Sequence, residues 1–286
     1  MTNVKDKRSI LITGCSTGIG YAAAHILRDR GWQVFPTCRK PEDADRLRSE
    51  GFDAFHLDYC DAESIQSAVE SVLEVTGGHL DALFNNGAYG LPGAVEDLPT
   101  DALRRQFETN FFGWHELTRL VIPVMRKQGH GRIVQCSSIL GLVAMDYRGA
   151  YNATKFALEG YTDTLRLELH GSGIQVSLIE PGPIQSEFSK TAVKMFFKEI
   201  GEDAKNASHF RESYNRRLTM LAKGGTTKFK LQPDAVVKKL THAIEAPKAK
   251  ARYYVTTPTY IMTFLRRILP TSLVDVILRS SAKSEE

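Results

Sequence analysis

SILITGCSTGIGYAAAHILRDRG, Ser9 to Gly31, is the stretch from which the fold can be read. Ser9 to Thr13 is a short apolar run that predicts a strand. Tyr21 to Arg30 has helical spacing and stops at Gly31, the residue type that best takes the left-handed position after a helix. Between them lie Gly14, Gly18 and Gly20. Glycines at a strand-to-helix turn let the backbone approach a pyrophosphate, which then rests on the helix N-terminus. A Gly-x-x-x-Gly-x-Gly alone is weak evidence; placed after a first strand and before a helix it carries more.

Outward from this unit, strands and helices keep alternating, which predicts a parallel sheet covered on both faces. A strand, Gln33 to Cys38, ends in Arg39-Lys40, and Pro41 opens a helix. An NAD-binding chain usually places an acid about 20 residues past the glycines for the ribose 2′-hydroxyl. Residues 33 to 40 hold no acid and end in two cations. A guanidinium can fork onto a 2′-phosphate that a carboxylate would repel, so Arg39, helped by Lys40, points to NADP rather than NAD.

A third strand, Ala54 to Leu57, ends at Asp58, a candidate for the adenine amino group; Asp61 is the better helix cap. The helix Ala62 to Val75 stops at Gly77-Gly78, and a fourth strand, Asp81 to Phe84, leads into Asn85-Asn86-Gly87-Ala88. Thr100 is expected to cap a long helix reaching Gln128, kinked at Pro123, with Asn110 inside it. The fifth strand, Arg132 to Cys136, delivers Ser137 and Ser138. The sixth, Ile174 to Ile179, runs into the proline-fixed turn Glu180-Pro181-Gly182-Pro183-Ile184.

At residues 185–231 the alternation breaks. Two helix-like segments and a hinge candidate, Gly224-Gly225, make this connection far longer than usual, and a substrate lid is the expected role. A helix, Pro233 to Ala246, and a strand, Arg252 to Thr256, close the regular part. Residues 1–286 read as one domain, with 258–286 a C-terminal extension.

The 286 residues suit one sizeable core. The formal net charge of +4 comes from cations interleaved with acids, which does not suit nucleic acid. The first residues, MTNVKDKRS, lack an apolar run, so no secretory signal is expected and the default is cytoplasmic. Cys15, Cys38, Cys60 and Cys136 show no metal spacing; they are expected to be reduced and buried, and no metal site is predicted.

Chemistry converges on SILGLVAMDYRGAYNATK, Ser138 to Lys155. Tyr151 and Lys155 are one helical turn apart on one face. A free tyrosine, with a pKa of about 10, is a poor proton donor or acceptor at neutral pH, and a nearby cation favours the phenolate. Ser138, closing the fifth strand, can offer its hydroxyl to the same reacting oxygen. A Tyr–Lys pair at this spacing also occurs by chance on solvated helices, so the surrounding motifs carry the reading.

Taken together, Thr13-Gly14-x-x-x-Gly18-Ile19-Gly20, Asp58, Asn85-Asn86, Asn110, Ser138, Tyr151-x-x-x-Lys155 and Pro181-Gly182 resemble the short-chain dehydrogenase/reductase family over at least residues 8–256. Within it the chain is similar to bacterial NADP-dependent aldehyde reductases and to 17β-hydroxysteroid and retinol dehydrogenases. The resemblance implies a doubly wound, Rossmann-type α/β domain with a helical lid and a helical tail. It implies a reversible reduction of an aldehyde or ketone. Tyr151 would exchange the proton, Lys155 would lower its pKa and hold the nicotinamide ribose, Ser138 would orient the carbonyl, and Asn110 would anchor a relay water. Gly14, Ser16, Thr17, Gly18, Ile19 and Gly20 would cradle NADP(H), with Arg39 and Lys40 at the 2′-phosphate and Asp58 and Asn86 at the adenosine. Pro181, Gly182, Ile184 and Ser186 would face the nicotinamide. The family's Asn-Asn-Ala-Gly reads Asn-Asn-Gly-Ala here, which implies a turn one residue earlier.

The aromatic lid suggests a small apolar carbonyl or alcohol substrate: an aldehyde, a steroid or a retinoid. The family often forms homo-oligomers, which is the expectation here. The tail, Pro258 to Ser280, has apolar runs broken by Arg266-Arg267, Pro270 and Asp275, too short for a span of about 20 residues. Helices over the substrate mouth are the favoured reading, a segment lying on a membrane the alternative. The alternative for the whole chain is a catalytically silent NADP(H)-sensing protein on the same fold.

Overall fold

The computed structural model describes residues 7–225 and 228–283; residues 1–6, which bear on the secretory reading, lie outside the described residues. Strands β1 (Ser9–Ile12), β2 (Gln33–Cys38), β3 (Phe55–His56), β4 (Ala82–Asn85), β5 (Gly131–Cys136), β6 (Ile174–Glu180) and β7 (Arg252–Tyr254) form one sheet. Its order is β3-β2-β1-β4-β5-β6-β7, with every pairing parallel. Apolar runs such as Ser9–Ile12, buried throughout, are what a strand with both faces covered requires. Between them run α1 (Gly18–Asp29), α2 (Pro41–Ser49), α3 (Ala62–Thr76), α4 (Thr100–Phe107), α5 (Gly113–Gln128), α6 (Gly149–Glu168) and α10 (Asp234–Glu245). Helix α1 packs with α10 and α3 with α5.

Helix α3 shows how locally the sequence dictates this. Asp61 Oδ1 accepts from the backbone N–H of Glu63 at 3.0 Å and of Ser64 at 3.3 Å. Ile65, Ala68, Val69 and Val72 turn one stripe to the core, and Gly77, at φ 67°, ends the helix. Burying an aliphatic side chain of that size contributes about 1.5–3 kcal/mol.

All strands being parallel, their carboxyl ends share one edge of the sheet. Thr13, Arg39, Asp58, Asn86, Ser138 and Pro181 lie one or two residues past those ends. The chain leaves β1 toward β2 on one side and pairs it with β4 on the other, opening the crevice that this topology offers to ligands.

Five expectations are corrected. The long helix is two, α4 and α5, joined by a wide π turn at Glu108–Phe112, whereas Pro123 lies inside an uninterrupted α5. Pro99, not Thr100, is the capping residue of α4. The lid has three helices, α7 (Phe188–Glu199), α8 (Gly201–Ala207) and α9 (Arg211–Ala222). Gly224 and Gly225 terminate α9 instead of hinging it: both have positive φ, and the Gly225 and Gly224 N–H groups bond back to the carbonyls of Met220 and Leu221. Residues 226–227 of the lid lie outside the described residues. Cys60, expected to be buried, is exposed, because it sits in the turn before α3 rather than in a strand.

Candidate active site

The glycine turn is held by contacts too close for any side chain. A Cβ on Gly14, whose φ is 69°, would lie 2.5 Å from Gly87 Cα, and one on Gly20 2.4 Å from the Gly14 carbonyl oxygen. The N–H groups of Asn86 and Gly87 both donate to Thr13 Oγ1, at 2.8 and 3.1 Å. Asn86 Nδ2 donates to the Thr13 carbonyl at 3.0 Å, and the Tyr59 hydroxyl meets Thr13 Oγ1 at 2.6 Å. The expected early turn at Gly87 is therefore a close approach. Its φ is not in the left-handed region; a Cβ there would meet Gly14 N and the Tyr59 ring, each at 3.2 Å. At the N-terminus of α1, Thr17 makes no side-chain capping bond and the first turn holds no acid. The orphan N–H groups around Gly18, Ile19 and Gly20 are thus left to an anion. Ser16 joins this turn to α2: Arg46 donates to its carbonyl at 2.6 Å.

Arg39 and Lys40 are exposed at the end of β2. Lys40 pairs with Glu42 at 3.5 Å, whereas Arg39 makes no ion pair among the described residues. Asp58 is half-buried, and its Oδ1 accepts from the Cys60 N–H at 3.0 Å.

Tyr151 and Lys155 project from the first two turns of α6 toward the loop after β5, where Ser138 stands. The Ser138 side chain stands beside the Tyr151 hydroxyl and favours its ionised form. Ser138 Oγ accepts from the Leu140 N–H at 3.1 Å and reaches the Pro181 carbonyl at 3.5 Å. Burial pushes the Tyr151 phenol above its ordinary range, the nearby Cys136 adds to this, and the Ser138 side chain and the charge of Arg148 oppose it. The expected lowering by Lys155 is not present in this arrangement. The buried Lys155 ammonium turns to the Cys136 carbonyl at 2.7 Å and lies 4.3 Å from the Trp114 ring centre, against 5.6 Å from that of Tyr151. Burial brings the Lys155 pKa down to about 8.

Asn110, fully buried in the π turn, spends its amide on the backbone: Oδ1 accepts from the Tyr89 N–H at 3.2 Å, and Nδ2 donates to the Tyr89 carbonyl at 2.8 Å. Nδ2 also reaches Thr154 Oγ1, beside Lys155, at 3.4 Å. The loop after β6 completes the edge. Gly182 passes so close to Thr256 that a Cβ would lie 2.1 Å from its Oγ1. Ile184 bridges to Leu231, and a Cβ on Gly18 would lie 3.1 Å from Ser186 Cβ.

Tyr151 lines an open cleft of about 310 Å³, continuous with solvent, together with the apolar Leu91, Pro92, Phe188, Ala192 and Leu221 and the polar Arg148 and Ser189. The Phe188 ring stands edge-on to Tyr151 at 5.5 Å. Helix α9 is tied down where the Tyr214 hydroxyl donates to Asp97 at 2.5 Å and accepts from the Ala94 N–H at 2.9 Å. The structure thus gathers Asn110, Ser138, Tyr151 and Lys155 at one end of the edge, the glycine turn at its centre, and Arg39 and Asp58 at the other. Sequence reasoning missed Trp114, Tyr59 and Arg46. Trp114 was findable, since it follows Asn110 by one helical turn; nothing local marked the other two.

A sequence profile of the short chain dehydrogenase family matches residues 8–196. YbbO, an uncharacterized oxidoreductase of Escherichia coli K12, is 40% identical over 273 residues, covering 96% of this chain and 94% of its own. Retinol dehydrogenase 8 of Bos taurus is 36% identical over 220 residues, 72% of this chain and 69% of its own. A short-chain dehydrogenase from Streptomyces avermitilis superposes with a TM-score of 0.74 at 26% identity, covering 98% of this chain and 96% of that one.

Proposed function

This chain belongs to the short-chain dehydrogenase family of oxidoreductases, and on that premise we propose that it reduces an apolar aldehyde or ketone with NADPH. The observation that carries the reading is the Tyr151 phenol, beside the Ser138 side chain, in the wall of a largely apolar cleft. A substrate oxygen placed between the two hydroxyls would receive a hydrogen bond from each. A phenol held neutral by burial has a proton to give to an oxygen that is gaining charge. Lys155, charged below about pH 8, would turn from the Cys136 carbonyl toward the cofactor's ribose and Tyr151. Asn110 holds the Tyr89 loop against Thr154, which keeps this turn of α6 in register.

The residues present fit a dinucleotide. Gly14 and Gly20 leave no room for a Cβ, and the uncapped start of α1 suits a pyrophosphate. When bound, the cofactor supplies the hydride. Around the expected 2′-phosphate position stand Arg39 and Arg46, and Gln33 to Lys40 contain no carboxylate, which supports NADP(H) over NAD(H). Leu91, Pro92, Phe188 and Leu221 suit a hydrocarbon substrate, as does the likeness to a protein named for retinol.

The test is loss of NADPH absorbance with a panel of aliphatic and aromatic aldehydes, ketosteroids and retinal, with NADH in parallel. Tyr151→Phe should reduce kcat by about 10²- to 10⁴-fold and leave NADPH binding intact. Wild-type turnover by that variant, or tight NADPH binding without turnover across the panel, overturns the reading.

A further inference from the structure

Beyond the catalytic cleft, the chain ends in two helices, α11 (Thr257–Ile268) and α12 (Thr271–Lys283), separated by Pro270. Their inner faces account for their position. Met262 and Val274 are buried against Val143, with Ile139, Leu265, Leu269, Ile277 and Leu278 packed around them. Helix α11 rests on the turn Ile139–Gly141, which directly follows Ser138. Helix α11 thus packs beside the turn after Ser138, while the cleft itself is lined by residues from elsewhere in the chain.

Their outer faces are what packing does not explain. Tyr260, Phe264 and Ile268 stand at i, i+4 and i+8, one line along α11, with Ile261 beside them. Their exposures are 49%, 62%, 58% and 50%, and Leu273 and Val276 of α12 follow at 49% and 58%. Six of the thirteen exposed large apolar side chains among the described residues thus lie on these two helices. A helix facing only water would carry polar residues along that line.

The charge along these helices is mostly positive. Residues 257–280 contain Arg266, Arg267 and Arg279 against Asp275, three cations less one anion, or +2. Lys239 Nζ adds another cation, 3.4 Å from the Tyr260 hydroxyl. Among the described residues no helix is long and apolar enough to cross a membrane. An apolar line flanked by arginines, too short to span, suits a surface that is apolar within and anionic at its rim.

We propose that α11 and α12 seat this protein on an anionic lipid bilayer, with Tyr260, Ile261, Phe264 and Ile268 entering the boundary between headgroups and acyl chains. The bilayer would then lie beside the turn that carries Ser138. That a lipid-soluble substrate enters from it rests on the functional reading above; the docking itself does not.

The test is flotation of the full chain with phosphatidylcholine vesicles, with and without phosphatidylglycerol. The wild type floats with the anionic vesicles, and Phe264→Glu combined with Ile268→Glu lowers the partition coefficient by at least about tenfold. Both positions are exposed, so the variant should fold; its unchanged turnover of a water-soluble aldehyde, or its unchanged circular dichroism, shows that it has. As a second arm, Arg267→Gln lowers binding to anionic vesicles about fivefold and leaves neutral vesicles unaffected. The proposal is overturned if the wild type does not float, or if the double variant floats equally well. It is also overturned if the wild type sediments as an oligomer that the variant abolishes while neither floats, since a second copy then covers the face.

Discussion

Asn110→Ala tests the most structurally explicit part of the site. The amide has two partners on Tyr89, a donor at 3.2 Å and an acceptor at 2.8 Å, plus a longer contact to Thr154. After truncation the Tyr89 carbonyl keeps a donor, because Gln106 Nε2 also reaches it at 2.7 Å. The Tyr89 N–H keeps no acceptor among the described residues, and the residue is only 6% exposed. An orphaned buried donor costs about 1–3 kcal/mol, and the small void left by the side chain adds on the order of 1 kcal/mol. The sum, about 3 kcal/mol, should lower Tm by about 5 °C in a chain of this size. Gln106→Leu is the control: its Oε1 is already unpartnered and the Tyr89 carbonyl would keep Asn110, so only about 1 kcal/mol should be lost. Thermal unfolding by circular dichroism compares the two, and kcat should fall only in the Asn110 variant. If Asn110→Ala melts as the wild type does, or Gln106→Leu costs as much, the stitching of α6 to Tyr89 through this amide is wrong.

Two further outcomes follow from charge. Arg39→Asp should cut kcat/KM with NADPH by about tenfold or more while that with NADH holds or rises, since a charge-assisted bond is replaced by repulsion; an unchanged ratio removes Arg39 from the cofactor site. Glu180 is fully buried, and burial, reinforced by the charge of Glu159 and opposed by Arg252, pushes its pKa up to about 8. The unfolded value is about 4.3. Between the two, the native state keeps a proton that the unfolded chain releases, so stability is highest below the lower value and falls as pH rises through the upper one. Glu180→Gln should flatten the urea midpoint against pH over that window, leaving only the part due to Glu159; an unaltered slope refutes the assignment.

What the sequence made legible was whatever repeats locally. Alternating strands and helices gave the doubly wound sheet, and the sheet carried Ser138 to Tyr151. The glycine turn was legible for the same reason, as residues 14 to 20 are one local unit. What was not legible depended on which distant groups meet. Nothing around Gly87 says that Gly14 lies against it, so a packing requirement read as a turn. The periodicity of 100–128 suits one helix, and only the pull of Tyr89 on the Asn110 amide shows why a wide turn interrupts it there. Spacing put Lys155 beside Tyr151 correctly but could not orient a four-carbon side chain, which chose the Cys136 carbonyl and the Trp114 ring.

The same distinction explains the charge buried under the site. Arg252, on β7, donates to Glu159 on α6, to Glu180 at 2.9 Å and to Asp163 at 2.6 Å. Asp163 is also paired with Arg166 at 3.1 Å, but the buried Glu159 and Glu180 share Arg252 alone, a poor arrangement for stability because buried ionic groups generally recover little of their desolvation cost. Its placement supplies the reason it has a use. Glu159 lies one turn beyond Lys155 on the helix that carries Tyr151, and Glu180 directly precedes Pro181, whose carbonyl accepts from the Ile139 N–H at 2.8 Å and is reached by Ser138 Oγ. Arg252 therefore joins the helix bearing the phenol and the strand end supporting the serine. The proton on Glu180 follows from its burial, reinforced by the charge of Glu159 on the same guanidinium. At this site, charge holds two elements at a fixed separation, and the cost appears as the pH dependence of stability.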